Sequence, residues 1–295
     1  MTFSINNLKE EIRDTLRVYL YPQNTVSDTE VALSDTISVY KVAQSFKSYS
    51  KFYSTVNPFK YTIPVDVKLR KYGTPDGNVF ISIQSSSSGE PSGTTIGHCT
   101  IAVGDVSSSS FSVNSGSIVI TSMIGSNTEY FLCIEPQSNA STVNYYSTQK
   151  YNTDKYMIGS LSVYNGSSWS TTTGDIYFDI DNPNWIYTGF PRSDISKYSF
   201  PRLAIDAISR RVDQRWINIE LAEYTIDFTL VAYSYYPDEL DDILSYADRA
   251  LFKERANFTN IKRLDSGEMT PVEVLRDNLF SRAMRYNLVV KMTNE

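Results

Sequence analysis

The sequence predicts a two-domain protein. One domain is α+β, with an antiparallel sheet and helices on one face, and the other is an all-β sandwich inserted after the N-terminal helix of the first. A length of 295 residues is sufficient for two domains. Charge is also uneven: residues 35–184 carry 9 basic and 11 acidic side chains, whereas the shorter segment 185–295 carries 15 and 17. We therefore assign residues 1–34 and 185–295 to the α+β domain and residues 35–184 to the sandwich.

The N-terminal segment is predicted to be an amphipathic helix that ends at Pro22. Charged side chains of both signs separate its apolar positions, which favours a helix that covers a protein core over one that lies on a membrane surface. The apolar positions are Ile5, Leu8, Ile12, Leu16 and Tyr19.

The middle of the chain has the pattern of short strands separated by turns. Alternation of apolar and polar residues predicts strands at 62–72, 78–84, 98–103, 117–124, 129–136, 154–164 and 174–180. Residues 73–77 (GTPDG) predict a turn, and Asn165-Gly166 predicts a hairpin. Strands at this spacing, joined by serine-rich loops, are typical of an antiparallel sandwich.

The C-terminal segment combines long strands with helices. Strands are predicted at 200–208 and 220–234, and Pro237 opens a helix with an acidic first turn. Residues 270–273 (TPVE) form a capping-box pattern, which predicts a short helix before a final strand at 284–292. Because an amphipathic helix cannot bury its apolar stripe alone, we expect residues 1–22 to pack with this segment.

The composition limits the chemistry that the chain performs. A formal net charge of −6 provides no basic field, so we expect no sequence-specific nucleic-acid binding. One histidine, His98, and two cysteines, Cys99 and Cys133, argue against a disulfide scaffold, a zinc site and most hydrolase mechanisms. No apolar run reaches the ~18 residues of a membrane span, and the N-terminus lacks a signal-peptide core. We therefore expect a binding or structural protein that is not an enzyme, needs no cofactor and does not contact a membrane.

Residues 40–180 resemble the galactose-binding-like β-sandwich modules of surface and secreted proteins. The resemblance is one of pattern, and these segments carry it: AQSF at 43–46, VKLRK at 67–71, GTPDG at 73–77, VFISI at 79–83, EPSG at 90–93, NTEYFLCI at 127–134 and NYY at 144–146. It implies a jelly-roll sandwich. Such modules are often purely architectural, and many carry a structural calcium.

The N-terminal helix and the C-terminal segment resemble the tail-terminator and related tail-completion proteins of tailed viruses. The matching features are the strand entry FPRLAI at 200–205, the long hairpin through 220–234, the helix start at 238–240 and the final strand at 281–292. The minimal family lacks the sandwich, which suggests that this module faces outward. The resemblance implies a ring, commonly six-fold, that caps the tail tube and joins it to the head.

Together these resemblances predict a virion structural protein of the neck or tail. We expect a tail-terminator-like ring subunit, as a homo-hexamer assembled in the host cytoplasm, that contacts the tail tube protein and the head-completion or connector proteins. The alternative is a carbohydrate-binding surface adhesin, in which the sandwich is the functional module and binds a cell-surface glycan.

The candidate contact residues fall into two groups. The interface candidates are basic and aromatic residues in a turn between two strands (Arg210, Arg211, Arg215 and Trp216) and an acidic helix start that serves as their counter-surface (Asp238, Glu239 and Asp241). The glycan-binding candidates are Tyr145, Tyr146, Tyr164 and Trp169. Each set also has a purely structural alternative. The basic residues would then form a solvated hairpin tip, the acidic residues would stabilise the helix dipole, and the aromatic residues would be half-buried packing residues.

Two further groups contain residue types that can perform chemistry. Asp175, Asp179 and Asp181 are calcium candidates by residue type, but the segment lacks the Gly and the terminal Glu of a dedicated calcium loop, so strand-end carboxylates are the alternative. His98 and Cys99 have no nucleophile motif around them, and we expect an ordinary histidine and two reduced, buried thiols.

Overall fold

The computed structural model describes residues 5–20, 29–34, 38–48, 61–121, 128–137, 141–154, 156, 158–180, 186–189, 201–215, 221–253, 262–266, 270–271 and 279–293. The chain divides into two compact units. One comprises Met1–Tyr19 and Asn184–Glu295, and the other comprises Leu20–Pro183. The second unit therefore interrupts the first along the chain.

The second unit consists of twelve antiparallel strands that form one continuous sheet. The strands are β1 (Thr29–Leu33), β2 (Lys41–Ser48), β3 (Tyr61–Tyr72), β4 (Val79–Ser87), β5 (Glu90–Ile101), β6 (Ser112–Ile120), β7 (Thr128–Pro136), β8 (Tyr145–Tyr151), β9 (Leu161–Tyr164), β10 (Trp169–Thr172), β11 (Asp175–Ile176) and β12 (Phe178–Ile180). Their order is β1-β8-β3-β6-β5-β4-β7-β2-β9-β10, with β11 paired to β8 and β12 paired to β3.

The sheet curls so that two layers face each other, as in a sandwich. Gln44 lies on the inner face of β2, and its side-chain amide bonds to Asp175 and to the backbone of Ile176 in β11, which belongs to the opposite layer. Apolar residues at alternate positions of the strands fill the space between the layers. They include Val42, Phe46, Ile63, Val65, Val67, Ile81, Ile83, Leu132, Ile134, Ile176, Phe178 and Ile180, all of them buried.

The first unit contains two helices and a six-stranded sheet. Its elements are α1 (Ile5–Leu20), β13 (Ile186–Tyr187), β14 (Arg202–Arg215), β15 (Leu221–Ser234), α2 (Pro237–Lys253), β16 (Lys262–Ser266), β17 (Thr270–Pro271) and β18 (Phe280–Thr293). The strand order is β13-β14-β15-β18-β16, with β17 also paired to β18. All pairs are antiparallel except β13 with β14.

Helix α1 packs within the first unit, as its amphipathic pattern predicts. Its apolar stripe is buried at Leu8, Ile12 and Leu16. Near its C-terminal end the Arg17 guanidinium donates to the Ile186 carbonyl oxygen at 3.2 Å, and this partly buried position lowers the pKa of Arg17 through desolvation. For the described part of the segment, the prediction that the N-terminal helix packs with the C-terminal segment is confirmed.

The structure corrects two details of the predicted organisation. Strand β1 pairs with β8, so residues 29–33 belong to the sandwich and not to the α+β domain, where the 1–34 boundary placed them. Thr270 and Pro271 form an extended segment paired with Ser281 and Phe280, so Pro271 does not begin a helix. Tertiary pairing with β18 therefore outweighs the local capping pattern at this position, and the rest of the predicted helix lies outside the described residues.

Candidate functional site

Five side chains of the sandwich lie in one row across five strands. Trp169 of β10 is paired with Tyr164 of β9, and Tyr164 is paired with Lys41 of β2. The register of β2 and β7 places Lys41 beside Glu135, and Glu135 is paired with Phe80 of β4. Since residues opposite each other in neighbouring strands project from the same face, the row brings three aromatic rings and one ion pair to a single surface.

The Asn165-Gly166 hairpin sets the register at one end of the row. Gly166 has a φ of +96°, which an L side chain rarely adopts, and the Asn165 carboxamide oxygen accepts from the Ser167 and Ser168 backbone amides at 3.0 and 2.9 Å. The hairpin predicted from Asn-Gly is thus confirmed, and its closure pairs Tyr164 with Trp169.

Packing and hydrogen bonding hold both aromatic rings of this hairpin in place. The Trp169 indole packs against the buried cluster of Ala43, Phe131 and Cys133. The Tyr164 hydroxyl donates to the Gly166 carbonyl oxygen at 3.0 Å. The two ring centres are 5.2 Å apart and the ring planes are inclined by 49°, so the pair forms a corner rather than a flat platform.

Lys41 and Glu135 form an ion pair in the middle of the row. The Lys41 ammonium is 2.7 Å from the Glu135 carboxylate and 5.5 Å from the centre of the Tyr164 ring. Each of the two charged side chains keeps about a third of its surface exposed (34%). The pair therefore offers the two remaining N–H donors of the ammonium and a carboxylate acceptor while adding no net charge to the site.

The row lines a pocket of about 410 Å³, which we call the outer-face pocket. Its remaining wall comes from Gln84 of β4 and from the Pro91–Gly93 and Thr95 positions of β5. The Gln84 carboxamide oxygen accepts from the Gly93 backbone amide at 3.1 Å, which fixes this wall. A pocket of this size, with aromatic walls and a few placed polar groups, has the character of a small-ligand site.

Sequence analysis identifies only part of this pocket. It singles out Tyr164 and Trp169 as exposed aromatic candidates, and the structure brings them together. It misses Lys41, Glu135 and Phe80, because they lie in three strands that are far apart in sequence and become neighbours only through strand pairing. The sequence indicates only that each of these residues is polar or aromatic and occupies an outward position in a run of alternating apolar and polar residues.

The two other glycan-binding candidates lie outside the outer-face pocket. Tyr145 stacks on Tyr72, with ring centres 4.7 Å apart. Tyr146 is fully buried and donates its hydroxyl to the Gly77 carbonyl oxygen at 2.5 Å, and burial raises its pKa to about 12. Tyr146 is therefore a core residue, and its selection as a glycan contact was wrong.

The two calcium candidates that the structure describes, Asp175 and Asp179, do not form a metal site. Asp175 is buried, and its carboxylate accepts from Gln44 Nε2 at 3.1 Å and from the Tyr156 backbone amide at 2.8 Å. Asp179 lies in β12 opposite Asp66 of β3. Asp181 lies outside the described residues. Within the described part of the chain, no three His, Cys, Asp or Glu side chains are grouped so as to hold a metal ion.

The residues considered for nucleophilic chemistry lie on strands of the sandwich. His98 of β5 is exposed and rests against Phe80, with ring centres 5.1 Å apart. Burial raises the pKa of Cys99 to about 11 and raises that of Cys133 further. Both are free thiols that stay protonated near neutral pH; Cys133 is buried as expected, whereas Cys99 is only partly buried.

The basic interface candidates do not lie in a turn. Arg210, Arg211 and Arg215 are ladder positions of β14, paired with Ile226, Thr225 and Ala222 of β15. Their placement in a turn was therefore wrong, because β14 continues to Arg215, and Trp216 lies outside the described residues. The strand is longer than its apolar alternation indicated, since pairing with β15 extends the ladder through charged positions.

The acidic interface candidates separate into exposed and buried residues. Asp238 and Asp241 are exposed at the start of α2, and Asp241 forms an ion pair with Arg282 of β18. Glu239 is fully buried, and its carboxylate accepts a hydrogen bond from the Ser234 hydroxyl. Glu239 therefore does not belong to a counter-surface, because its side chain is buried against the Ser234 hydroxyl, which itself accepts from the Tyr236 backbone amide.

No protein-family model matches the chain, and no curated protein matches its sequence. In the described part of the chain, neither helix is long and apolar enough to cross a membrane.

Proposed function

We propose that this chain is a virion structural protein of the tail neck, a tail-terminator-like ring subunit that caps the tail tube and joins it to the head. The observation that carries the proposal is a set of three adjacent strands, β14, β15 and β18, each fourteen residues long. At about 3.3 Å per residue such strands extend about 46 Å, whereas the 17-residue helix α2 extends about 26 Å.

The described contacts of β18 with α2, β16 and β17 lie between residues 280 and 287. Contacts between α2 and β18 run from Asp241 with Arg282 to Asp248 with Tyr286. Strand β16 pairs with β18 no further than Asn287. Among the described residues, positions 288–293 of β18 are paired with β15 alone.

An open strand edge is a template for pairing with another chain. We propose that an edge of the ribbon formed by β14, β15 and β18 receives a strand from a neighbouring copy and that repetition of this contact closes a ring. The charged ribbon residues, among them Arg210 and Arg211, would then set the register of the contact.

The test is the mass of the purified protein in solution, measured by light scattering, followed by negative-stain imaging. We expect a closed ring of about six copies. The double variant Arg210→Glu/Arg211→Glu reverses two charges of the ribbon and should lower the mass, whereas Glu90→Lys in the β4–β5 hairpin of the sandwich should not. A monomer at high concentration that also fails to bind purified tail tubes would contradict the proposal.

A second candidate function is carbohydrate binding by the sandwich, as in a surface adhesin. The observation that favours it is the outer-face pocket, in which two aromatic side chains meet beside an ion pair. Part-exposed aromatic rings with polar neighbours suit both sugar and protein recognition. A neck subunit can also carry an adhesive module, so the two functions are compatible and are measured separately.

A further inference from the structure

We propose that the outer-face pocket binds a neutral saccharide, with one pyranose ring stacked in the corner between Tyr164 and Trp169 and its hydroxyl groups bridging Lys41 and Glu135. This inference rests on the second function proposed above and specifies its ligand class and its contacts. It is independent of ring assembly.

The aromatic corner suits the apolar face of a sugar ring. The C–H groups on one face of a pyranose carry partial positive charge, and the face of an aromatic ring carries partial negative charge, so the two attract each other. Trp169 and Tyr164 are already held by packing and by a hydrogen bond, so little conformational entropy is lost when a ligand stacks on them.

The ion pair selects for a neutral ligand. Among the described residues, Lys41 and Glu135 are the two charged groups of the pocket lining, and their charges cancel. A carboxylate or sulfate placed against Lys41 would also lie next to the Glu135 carboxylate and would be repelled by it. A sugar hydroxyl both donates and accepts, so it can accept from the Lys41 ammonium while donating to Glu135 without separating the pair.

The pair contributes little to folding. Ion pairs that remain this exposed add little to the stability of the folded state, and the Lys41 and Glu135 side chains are each about a third exposed. Variants of the pair should therefore fold normally and report on binding alone.

The pocket volume sets the size of the ligand. About 410 Å³ lies near the lower end of the ~300–1,000 Å³ that small-ligand sites occupy. The pocket therefore accommodates one or two sugar rings, and the rest of a longer glycan would extend into solvent.

The experiment is a titration of the full chain with a panel of neutral oligosaccharides, terminated by hexose or N-acetylhexosamine, and with their sialylated and sulfated counterparts. Tryptophan fluorescence, to which Trp169 contributes together with Trp185 and Trp216, and calorimetry provide two readouts. We expect a neutral member to bind, and we expect Trp169→Ala and Lys41→Ala/Glu135→Ala each to weaken it by about tenfold or more. Tyr145→Ala, an aromatic truncation outside the pocket, is the matched control and should bind as the unmodified protein does.

Three results would overturn the inference in different ways. Preferential binding of acidic saccharides at this pocket would refute the neutral ligand class and leave carbohydrate binding in place. If Trp169→Ala and Lys41→Ala/Glu135→Ala both still bind the neutral saccharide with unchanged affinity, the outer-face pocket is not the binding site. Binding of no saccharide would refute the adhesive function as well, without bearing on the ring mass. If Trp169→Ala lowers the melting temperature, the Lys41→Ala/Glu135→Ala variant alone decides the test.

Discussion

Gln44 joins the two layers of the sandwich, and replacing it with glutamate tests that role with almost no change in shape. In the folded protein the Gln44 Nε2 group donates to Asp175 Oδ1 at 3.1 Å, and the Gln44 Oε1 atom accepts from the Ile176 backbone amide at 3.1 Å. The substitution Gln44→Glu keeps the second bond and replaces the donor of the first with a carboxylate oxygen.

The size of the effect follows from the geometry. Two like charges about 3.1 Å apart at an effective dielectric constant near 20 repel by about 5 kcal/mol. Taking up one proton at pH 7 instead costs about 1.4 kcal/mol for each pH unit above the ordinary glutamate pKa of about 4.3, or roughly 4 kcal/mol. Proton uptake is the smaller cost, so the folded variant holds one proton between the introduced carboxyl group and Asp175.

The pH dependence has a definite sign. The folded pKa of the introduced carboxyl group is raised, so the stability of the variant is retained below about pH 4 and falls as pH rises toward the folded pKa. Relative to the unmodified protein, we expect a loss of about 4 kcal/mol in the free energy of unfolding at pH 7 and about 1 kcal/mol at pH 5. Urea denaturation at several pH values measures this loss, with Gln137→Glu on the exposed surface as the control.

Either of two outcomes would refute this reasoning. A Gln44→Glu variant within about 1 kcal/mol of the unmodified protein at pH 7 would mean that Gln44 does not join the layers as described. A loss that is the same at pH 5 and pH 7 would mean that the cost arises from packing and not from the paired carboxyl groups.

Three further substitutions test local features of the fold. Gly174→Ala should destabilise the sandwich by about 2 kcal/mol or more in thermal melts, because Gly174 has a φ of +103° and an added Cβ would clash with the Tyr151 carbonyl oxygen; unchanged melting would contradict the positive φ. Burial raises the pKa of Cys99 from its ordinary value near 9 to about 11, so the folded state keeps a proton that the unfolded chain loses, and stability should fall between about pH 9 and pH 11. In urea titrations Cys99→Ser should reduce the slope of that part of the pH profile, and an unaltered slope would count against a raised Cys99 pKa. Ser234→Ala should cost about 1.5–3 kcal/mol in denaturant unfolding because it removes a donor to the buried Glu239 carboxylate; a neutral result would mean that this hydrogen bond does not stabilise the folded state.

Local sequence patterns predicted the elements that are determined by residues close to one another in the sequence. The stripe of α1, the Pro237 start of α2, the alternation of β15 and the Asn165-Gly166 hairpin all appear in the structure. In each case the signal is a periodicity or a turn preference that acts within a few residues.

Elements that depend on distant partners were not predictable in this way. Strand β8 (YYSTQKY) does not alternate cleanly, because its inner and outer faces are both covered and polar residues such as Ser147 and Thr148 are buried there. The 270–271 segment is extended because β18 pairs with it, although its own residues favour a helix start. In both cases the conformation depends on pairing with a strand that is distant in sequence, and a single sequence does not show which strands will pair.

The period of two in a β-strand explains why folding and binding are separable in this sandwich. Successive residues of β2 point to opposite faces, so Val42 and Gln44 face the core while Lys41 and Ala43 face outward. Ala43 is small, which leaves room for the Trp169 indole to pack against the outer face of the sheet. Substitutions at Gln44 should therefore change stability, and substitutions at Lys41 should change binding with little effect on stability. Variants at Gln44 and Lys41 should thus give opposite outcomes in the unfolding and binding assays. A variant at either position that changed stability and binding to the same extent would show that the two faces of the sheet are coupled.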